Sequence, residues 1–300
     1  MRVVVTGASG FIGRYALPLL VAQGHEVFAA TTKARTNTSD GVQWFECDLL
    51  EDTGAEVAMD AIRPEGLLHL AWYAEHGRFW SAPENFAWCK ATADLLAAFR
   101  KSGGRRLVIS GTCAEYDWSQ GYCVEDKTPT APNTVYGKCK DVTRQYAQAY
   151  CLAHGLELAW ARIFFPYGLG EPAGRLLPSV LMAMNRGETV QCSHGKQFRD
   201  FIHVSDTASA LIHLLTAVDS TGIFNIGSGE PLQIMSIINM CASRFHHKVN
   251  IDFGSIPVSE SDPRMLVASI DNLLNTGWKP ATSISQGIDQ YVDFYSTLVR

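Results

Sequence analysis

The first apolar run of the chain, Val3-Val4-Val5 closed by Thr6, is too short for a helix and suits a strand buried at the centre of a sheet. Comparable runs at residues 26–31, 44–47, 66–70, 106–110 and 157–163 predict further strands. The longer mixed segments between them, at about 11–23, 54–62, 84–102 and 134–154, predict helices. Strands alternating with helices predict an α/β fold built on a doubly wound parallel sheet, with its ligand crevice at the carboxyl ends of the strands. After Arg162 the pattern loosens through F-F-P-Y-G-L-G-E-P-A-G and a helical stretch at 177–185. A strand–helix piece at 200–215 is expected to rejoin the sheet, and 224–229 to add a strand and turn. The expected division is a larger domain over residues 1–163, with about 199–228 rejoining it, and a smaller interleaved lobe from 164–198 and 229–300.

Where the first strand ends, T-G-A-S-G-F-I-G places Gly7, Gly10 and Gly13 three apart at the mouth of a helix. Gly7 suits a tight turn, Gly10 the approach of backbone to a pyrophosphate, and Gly13 close packing of helix on strand. The helix, from about Phe11, would aim its free N–H groups and positive end at the anion. The segment reads as the phosphate cradle of a dinucleotide in a Rossmann-type sheet.

Composition narrows the classes. The chain is 47% hydrophobic and 18% charged, and a net charge of −5 offers no basic field to nucleic acid. No apolar run approaches a membrane span, and a strand starting at Met1-Arg-Val-Val leaves no expected signal peptide. The eight cysteines are scattered, with no CxxC pair and no His/Cys cluster. Reduced thiols in a cytoplasmic protein without a metal site are expected.

Chemistry enters at Tyr136-Gly-Lys-Cys-Lys140, where a tyrosine and a lysine four apart share one helical face. The pair follows the strand at 106–110 and the turn Gly111-Thr112-Cys113, the right order for a strand-end hydroxyl facing a helix.

Together these features resemble the extended branch of the short-chain dehydrogenase/reductase superfamily, which acts on nucleotide sugars. The resemblance is carried by the glycine motif, by Asp48-Leu49, by His69-Leu-Ala71 and by Tyr136-x-x-x-Lys140. Later landmarks are Arg199-Asp-Phe-Ile-His-Val-Ser-Asp206, Asn225-Ile-Gly-Ser-Gly229 and Gly277-Trp-Lys-Pro280. It implies a dinucleotide held by Gly7, Gly10, Phe11, Ile12 and Gly13. Asp48 and Leu49 would lie near adenine, and Leu70, Ala71 and Phe164 on the nicotinamide side. Tyr136 would be the general acid/base, Lys140 would lower its pKa and hold the ribose, and Thr112 would bond the substrate oxygen. Ser110 is the lesser candidate for that last role.

The second strand ends in Thr31 without the acid usual in NAD enzymes, and Lys33 and Arg35 follow. NADP(H) is therefore expected, with NAD(H) the alternative. The resemblance implies a nucleotide diphosphate sugar held by Arg199 and Arg264, with Arg175 the weaker candidate, and a homodimer. Phe165 stands where the branch usually has an asparagine, and Trp72-Tyr-Ala-Glu-His-Gly-Arg-Phe-Trp80 reads as a wall of the sugar pocket. Sugar dehydratases resemble the chain but place Asp-Glu after the threonine, where Cys113-Ala114 stand. Glu115 would point to the opposite side of an extended segment, and Cys113 reads as a buried, inert thiol. The expected activity is NADPH-dependent reduction of a nucleotide-linked 4-keto-6-deoxysugar. The alternatives are a nucleotide-sugar C4 epimerase with tightly bound NAD and a non-catalytic NADP sensor.

Overall fold

In the computed structural model, residues 1–33, 41–217, 219–259 and 262–297 are described. Val3, Val4 and Val5 have no exposed surface, as their uniform apolarity requires, and form β1 (Arg2–Thr6) inside a seven-stranded sheet. The other strands are β2 (Glu26–Thr31), β3 (Val42–Glu46), β4 (Gly66–His69), β5 (Arg106–Thr112), β6 (Glu157–Ile163) and β7 (Gly222–Ile226). Across the sheet the order is β7-β6-β5-β4-β1-β2-β3, and every pairing is parallel. The order reverses between β1 and β4, so the crevice between their carboxyl ends is the switch point of a doubly wound sheet.

Helices cover both faces. On one, α1 (Gly13–Ala22) and α6 (Val204–Thr216) bury Leu17, Leu20, Leu211 and Leu215. On the other, α2 (Gly54–Ile62), α3 (Glu84–Lys101) and α4 (Val135–His154) bury Met59, Leu95, Phe99 and Ala147. A further core joins α5 (Leu176–Asn185), α7 (Ile234–Ala242) and α8 (Ile284–Thr297) through Leu181, Ile237 and Tyr291.

One expected strand goes elsewhere. Phe201–His203 does not rejoin the main sheet but pairs in parallel with Phe165–Tyr167, and only α6 and β7 return to it. The cause lies next door. Phe198–Arg199 is paired between Leu232–Gln233 and the strand Met265–Ala268. The fully buried Asp200 carboxylate then accepts hydrogen bonds from the Ser228, Gly229 and Ala268 N–H groups and the Ser228 hydroxyl. Those bonds replace lost hydration of a buried acid and fix the chain away from the large sheet.

Candidate active site

Gly7 adopts a left-handed conformation (φ +66°), and a Cβ there would sit 2.7 Å from the Ala71 nitrogen. The turn after β1 therefore lies against the end of β4, an approach that only glycine permits. At Gly13 a Cβ would come within 2.4 Å of the Gly7 carbonyl, so the first turn of α1 is packed onto the same loop. Gly10 N–H donates to that carbonyl at 2.9 Å. The β4 side is pinned by His69, whose Nδ1 lies 2.7 Å from Thr6 Oγ1 and Nε2 3.1 Å from Thr92 Oγ1. Burial, then the Lys140 charge, pushes His69 down to about 3, so it is a neutral strut.

This cradle, with a carboxylate-free first turn of α1 above it, fits the phosphates of a dinucleotide. Asp48 accepts the Leu50 N–H at 2.9 Å, and Leu49 is buried. Thr32 and Asp48 also line a cavity of about 640 Å³ between β3 and α2. Thr31 is buried with its hydroxyl bonded to the Lys33 backbone, Lys33 is exposed, and Arg35 lies outside the described residues.

Thr112 ends β5 and caps the 3₁₀ turn Cys113–Glu115, its hydroxyl accepting the Ala114 N–H at 3.2 Å. The segment is thus a tight turn rather than the extended run expected, yet Glu115 still faces inward. Its carboxylate, fully buried, accepts the Thr112 N–H at 2.8 Å, the Trp160 indole N–H at 3.0 Å and Arg162 Nε at 2.7 Å. Bound this way it is unavailable for eliminating water. Burial pushes the Cys113 thiol up, leaving it un-ionised.

Tyr136 reaches this turn because of its neighbour. Thr134 caps α4 by accepting the Gly137 N–H at 3.0 Å. A Cβ on Gly137 would stand 2.4 Å from the Ala114 carbonyl, so the missing side chain lets α4 dock on the Thr112 turn. Phe79, Trp80 and Trp72 present rings edge-on to Tyr136, with centroids 4.9, 5.9 and 6.5 Å away. Burial raises the Tyr136 pKa, the Thr112 side chain pulls it back most, and the Arg175 charge also lowers it. Lys140, the charge expected to lower it, is not among the groups that do so. Its ammonium donates to the Ser110 carbonyl at 2.8 Å and lies 3.8 Å from the centre of a Trp72 ring. Burial lowers Lys140 to about 7, against the pull of Glu115.

The three arginines differ. Arg199 is buried, paired with Asp262 rather than Asp200, donates to the Phe198 and Pro263 carbonyls, and lies over the Phe165 ring. Arg264 is exposed, immediately before the adjoining strand Met265–Ala268. Arg175 is half-buried against Glu171, which also accepts the Tyr291 hydroxyl, and its charge acts on both His76 and Tyr136. Phe164 is buried with its N–H on the Ile226 carbonyl.

Sequence reasoning missed Gly137 and also Asn85, a fully buried amide that accepts the Trp72 indole N–H at 2.8 Å. Gly137 carried a signal, a glycine in the first turn of a helix where propensity argues against it. Asn85 carried none, being one polar residue in a mixed helix.

Over 307 aligned residues the chain is 28% identical to a UDP-glucose 4-epimerase of Streptomyces lividans, covering 93% of this chain and 92% of that protein. It is 25% identical to a dTDP-6-deoxy-L-talose 4-dehydrogenase (NAD(+)) of Aggregatibacter actinomycetemcomitans, covering 87% and 97%. The fold superposes on a Thermus thermophilus UDP-glucose 4-epimerase in complex with NAD at a TM-score of 0.85, with 27% identity over 100% of both chains. With residues 3–227 matching the NAD dependent epimerase/dehydratase family, the chain belongs to that family, within the extended short-chain dehydrogenases/reductases.

Proposed function

We propose that the protein is an NAD-dependent nucleotide-sugar 4-epimerase. The observation that carries the catalytic part of this reading is the docking of α4 through Gly137, with Tyr136 and the Thr112 side chain within reach of each other. Full-length likeness to two UDP-glucose 4-epimerases, one in complex with NAD, favours epimerisation over net reduction. NAD, when bound, accepts and returns hydride. Gly7, Gly10, Phe11, Ile12 and Gly13 would hold its phosphates, with Asp48 and Leu49 toward adenine and Leu70, Ala71, Phe164 and Lys140 toward the nicotinamide end. Thr112 donates to the C4 oxygen. Tyr136 takes the hydroxyl proton as that carbon is oxidised and returns it when the carbon is reduced on its other face. Arg264 and Arg175 would meet the substrate diphosphate, with Arg199 supporting that face from beneath. The substrate is a nucleotide diphosphate sugar.

A second reading, NADPH-dependent reduction of a 4-keto-6-deoxysugar nucleotide, is favoured by two observations. Burial holds Tyr136 as the neutral phenol, the form that donates a proton, and β2 ends in Thr31 with Lys33 exposed. A homodimer is supported by Phe86 on α3 and Val142 and Tyr146 on α4, which leave apolar surface exposed on adjacent helices. No helix among the described residues is long and apolar enough to cross a membrane.

The test uses desalted protein without added cofactor, incubated with UDP-glucose and UDP-galactose and analysed by chromatography. Interconversion with NAD retained supports the epimerase. Stoichiometric NADPH consumption with a 4-keto-6-deoxysugar nucleotide, and no interconversion, replaces it with the reductase.

A further inference from the structure

The aromatic segment after β4 reads from sequence as a wall of the sugar pocket, but its first member has another partner. The Trp72 ring centre lies 3.8 Å from the Lys140 ammonium. Its orientation is fixed by Asn85 and Trp88. The indole N–H donates to Asn85 Oδ1 at 2.8 Å, and the ring stacks on Trp88 at 6.2 Å and 28°. Asn85 has no exposed surface, and its amide donates to the Phe79 and Ala82 carbonyls, both at 2.8 Å. One buried amide therefore locks Trp72 and ties it to the loop that carries Phe79 and Trp80 against Tyr136.

Lys140 needs such a partner. It is buried, has three N–H groups to satisfy, and the Ser110 carbonyl accepts one of them. The acid nearest in effect, Glu115, is already committed to Arg162 and Trp160. A π face offers negative potential to an ammonium without the competing ion pair that a carboxylate would bring.

We propose that Trp72 is a positioning residue, its indole face holding the Lys140 ammonium at the carboxyl end of β5 where, on the reading above, Lys140 serves the dinucleotide. The contact also favours the charged form of the amine. Burial brings Lys140 to about 7, and the titratable groups facing it are Glu115 from the turn after β5, Cys89 from α3 and His69 from β4. Glu115 favours the ammonium, whereas burial opposes it. A desolvated cation–π contact favours the ammonium by about thirtyfold (about 2 kcal/mol), so its removal moves the Lys140 pKa further down.

Two measurements test this in the full chain. The first is acetylation of Lys140 by acetic anhydride at pH 5.5, followed by peptide mass spectrometry without any dinucleotide. Trp72→Leu should accelerate modification by about fivefold or more, because more of the amine is neutral, while Trp72→Phe, which retains a π face, should stay within about twofold. The second is NADH affinity by fluorescence between pH 6 and 9, in wild-type and Lys140→Met backgrounds. Trp72→Leu should weaken NADH by about tenfold at pH 8 in the first and change it by less than about twofold in the second. Equal losses in both backgrounds, or equal acetylation rates in all three proteins, would overturn the proposal. Should Trp72→Leu fail to fold, Trp72→Met replaces it in both measurements under the same criteria. If wild-type protein binds no nicotinamide dinucleotide while acetylation still responds to Trp72, the holding role stands and the dinucleotide assignment falls.

Discussion

Gly137→Ala adds a single methyl group at the point where helix α4 meets the threonine turn, and its effect can be worked from the backbone. The new Cβ would lie 2.4 Å from the Ala114 carbonyl and 2.9 Å from Pro132 Cβ, whereas ordinary contact begins at 3.4 Å. The nearest atom is backbone and cannot swing aside, so the start of α4 must retreat by about 1 Å, a displacement that can cost about a hundredfold in a catalytic geometry. Tyr136 immediately precedes the substituted residue and moves with it, while Thr112 stays with β5. Stability should respond less. Overpacking costs about 1–3 kcal/mol, but alanine regains up to about 1 kcal/mol of helix propensity over glycine. The net loss is therefore about 0–3 kcal/mol, and the folded state survives. Turnover with the sugar nucleotide identified by the cofactor-free assay should fall by about tenfold to a hundredfold, with NAD affinity within about threefold of wild type. The required measurements are kcat, NAD affinity and thermal unfolding on the same preparations. Normal kcat with an unchanged melting temperature would show that α4 does not need the close approach, and the docking argument would be refuted.

Tyr136→Phe keeps the ring contacts with Phe79 and Trp80 and removes the hydroxyl; kcat should drop by about a hundredfold or more while dinucleotide affinity barely changes. Arg264→Ala should raise KM about tenfold through loss of a charge-assisted contact and leave thermal unfolding unaltered, because the side chain is exposed. Arg199→Ala should instead lower the melting temperature, since it removes the donor to Asp262 Oδ1 and to the Phe198 and Pro263 carbonyls. His69 makes stability depend on acid. Its folded pKa, about 3, lies below the unfolded value near 6.5, so the unfolded chain binds the extra proton. Its contribution is full above pH 6.5 and is lost as pH falls toward 3, at a slope approaching about 1.4 kcal/mol per pH unit. Chemical unfolding at several pH values should show this slope, and His69→Asn should flatten it.

What could be read from the sequence follows from how local each cause is. The sheet was legible because Val3 to Val5 are apolar on both faces and a glycine turn follows, and both signals lie within one stretch of chain. The fate of Phe201–His203 was not, because it depends on Asp200 meeting Ser228, Gly229 and Ala268, residues that only folding assembles. The spacing of Tyr136 and Lys140 likewise places both on one helical face but says nothing of what that face meets. Trp72, Ser110 and the Cys113–Glu115 turn come from other elements, and they decide that Lys140 is engaged by a carbonyl and an indole.

Cofactor choice is the hardest case, and for a definable reason. Selectivity between NAD and NADP is a difference between two affinities, one for a ribose hydroxyl and one for a phosphate. The chain displays one half of that difference, cations after β2 that would attract a phosphate. The other half, donors and acceptors for the hydroxyl, includes backbone groups that no side-chain pattern encodes. Thr31 illustrates the point. Its hydroxyl, the side-chain group at the end of β2, is bonded to the backbone of Lys33, which shapes the loop. If that bond sets the loop for a ribose hydroxyl, Thr31→Val should weaken NAD more than NADP despite removing no charge. Equal weakening of both would assign the hydroxyl to loop structure alone, and stronger weakening of NADP would return the preference to the cations.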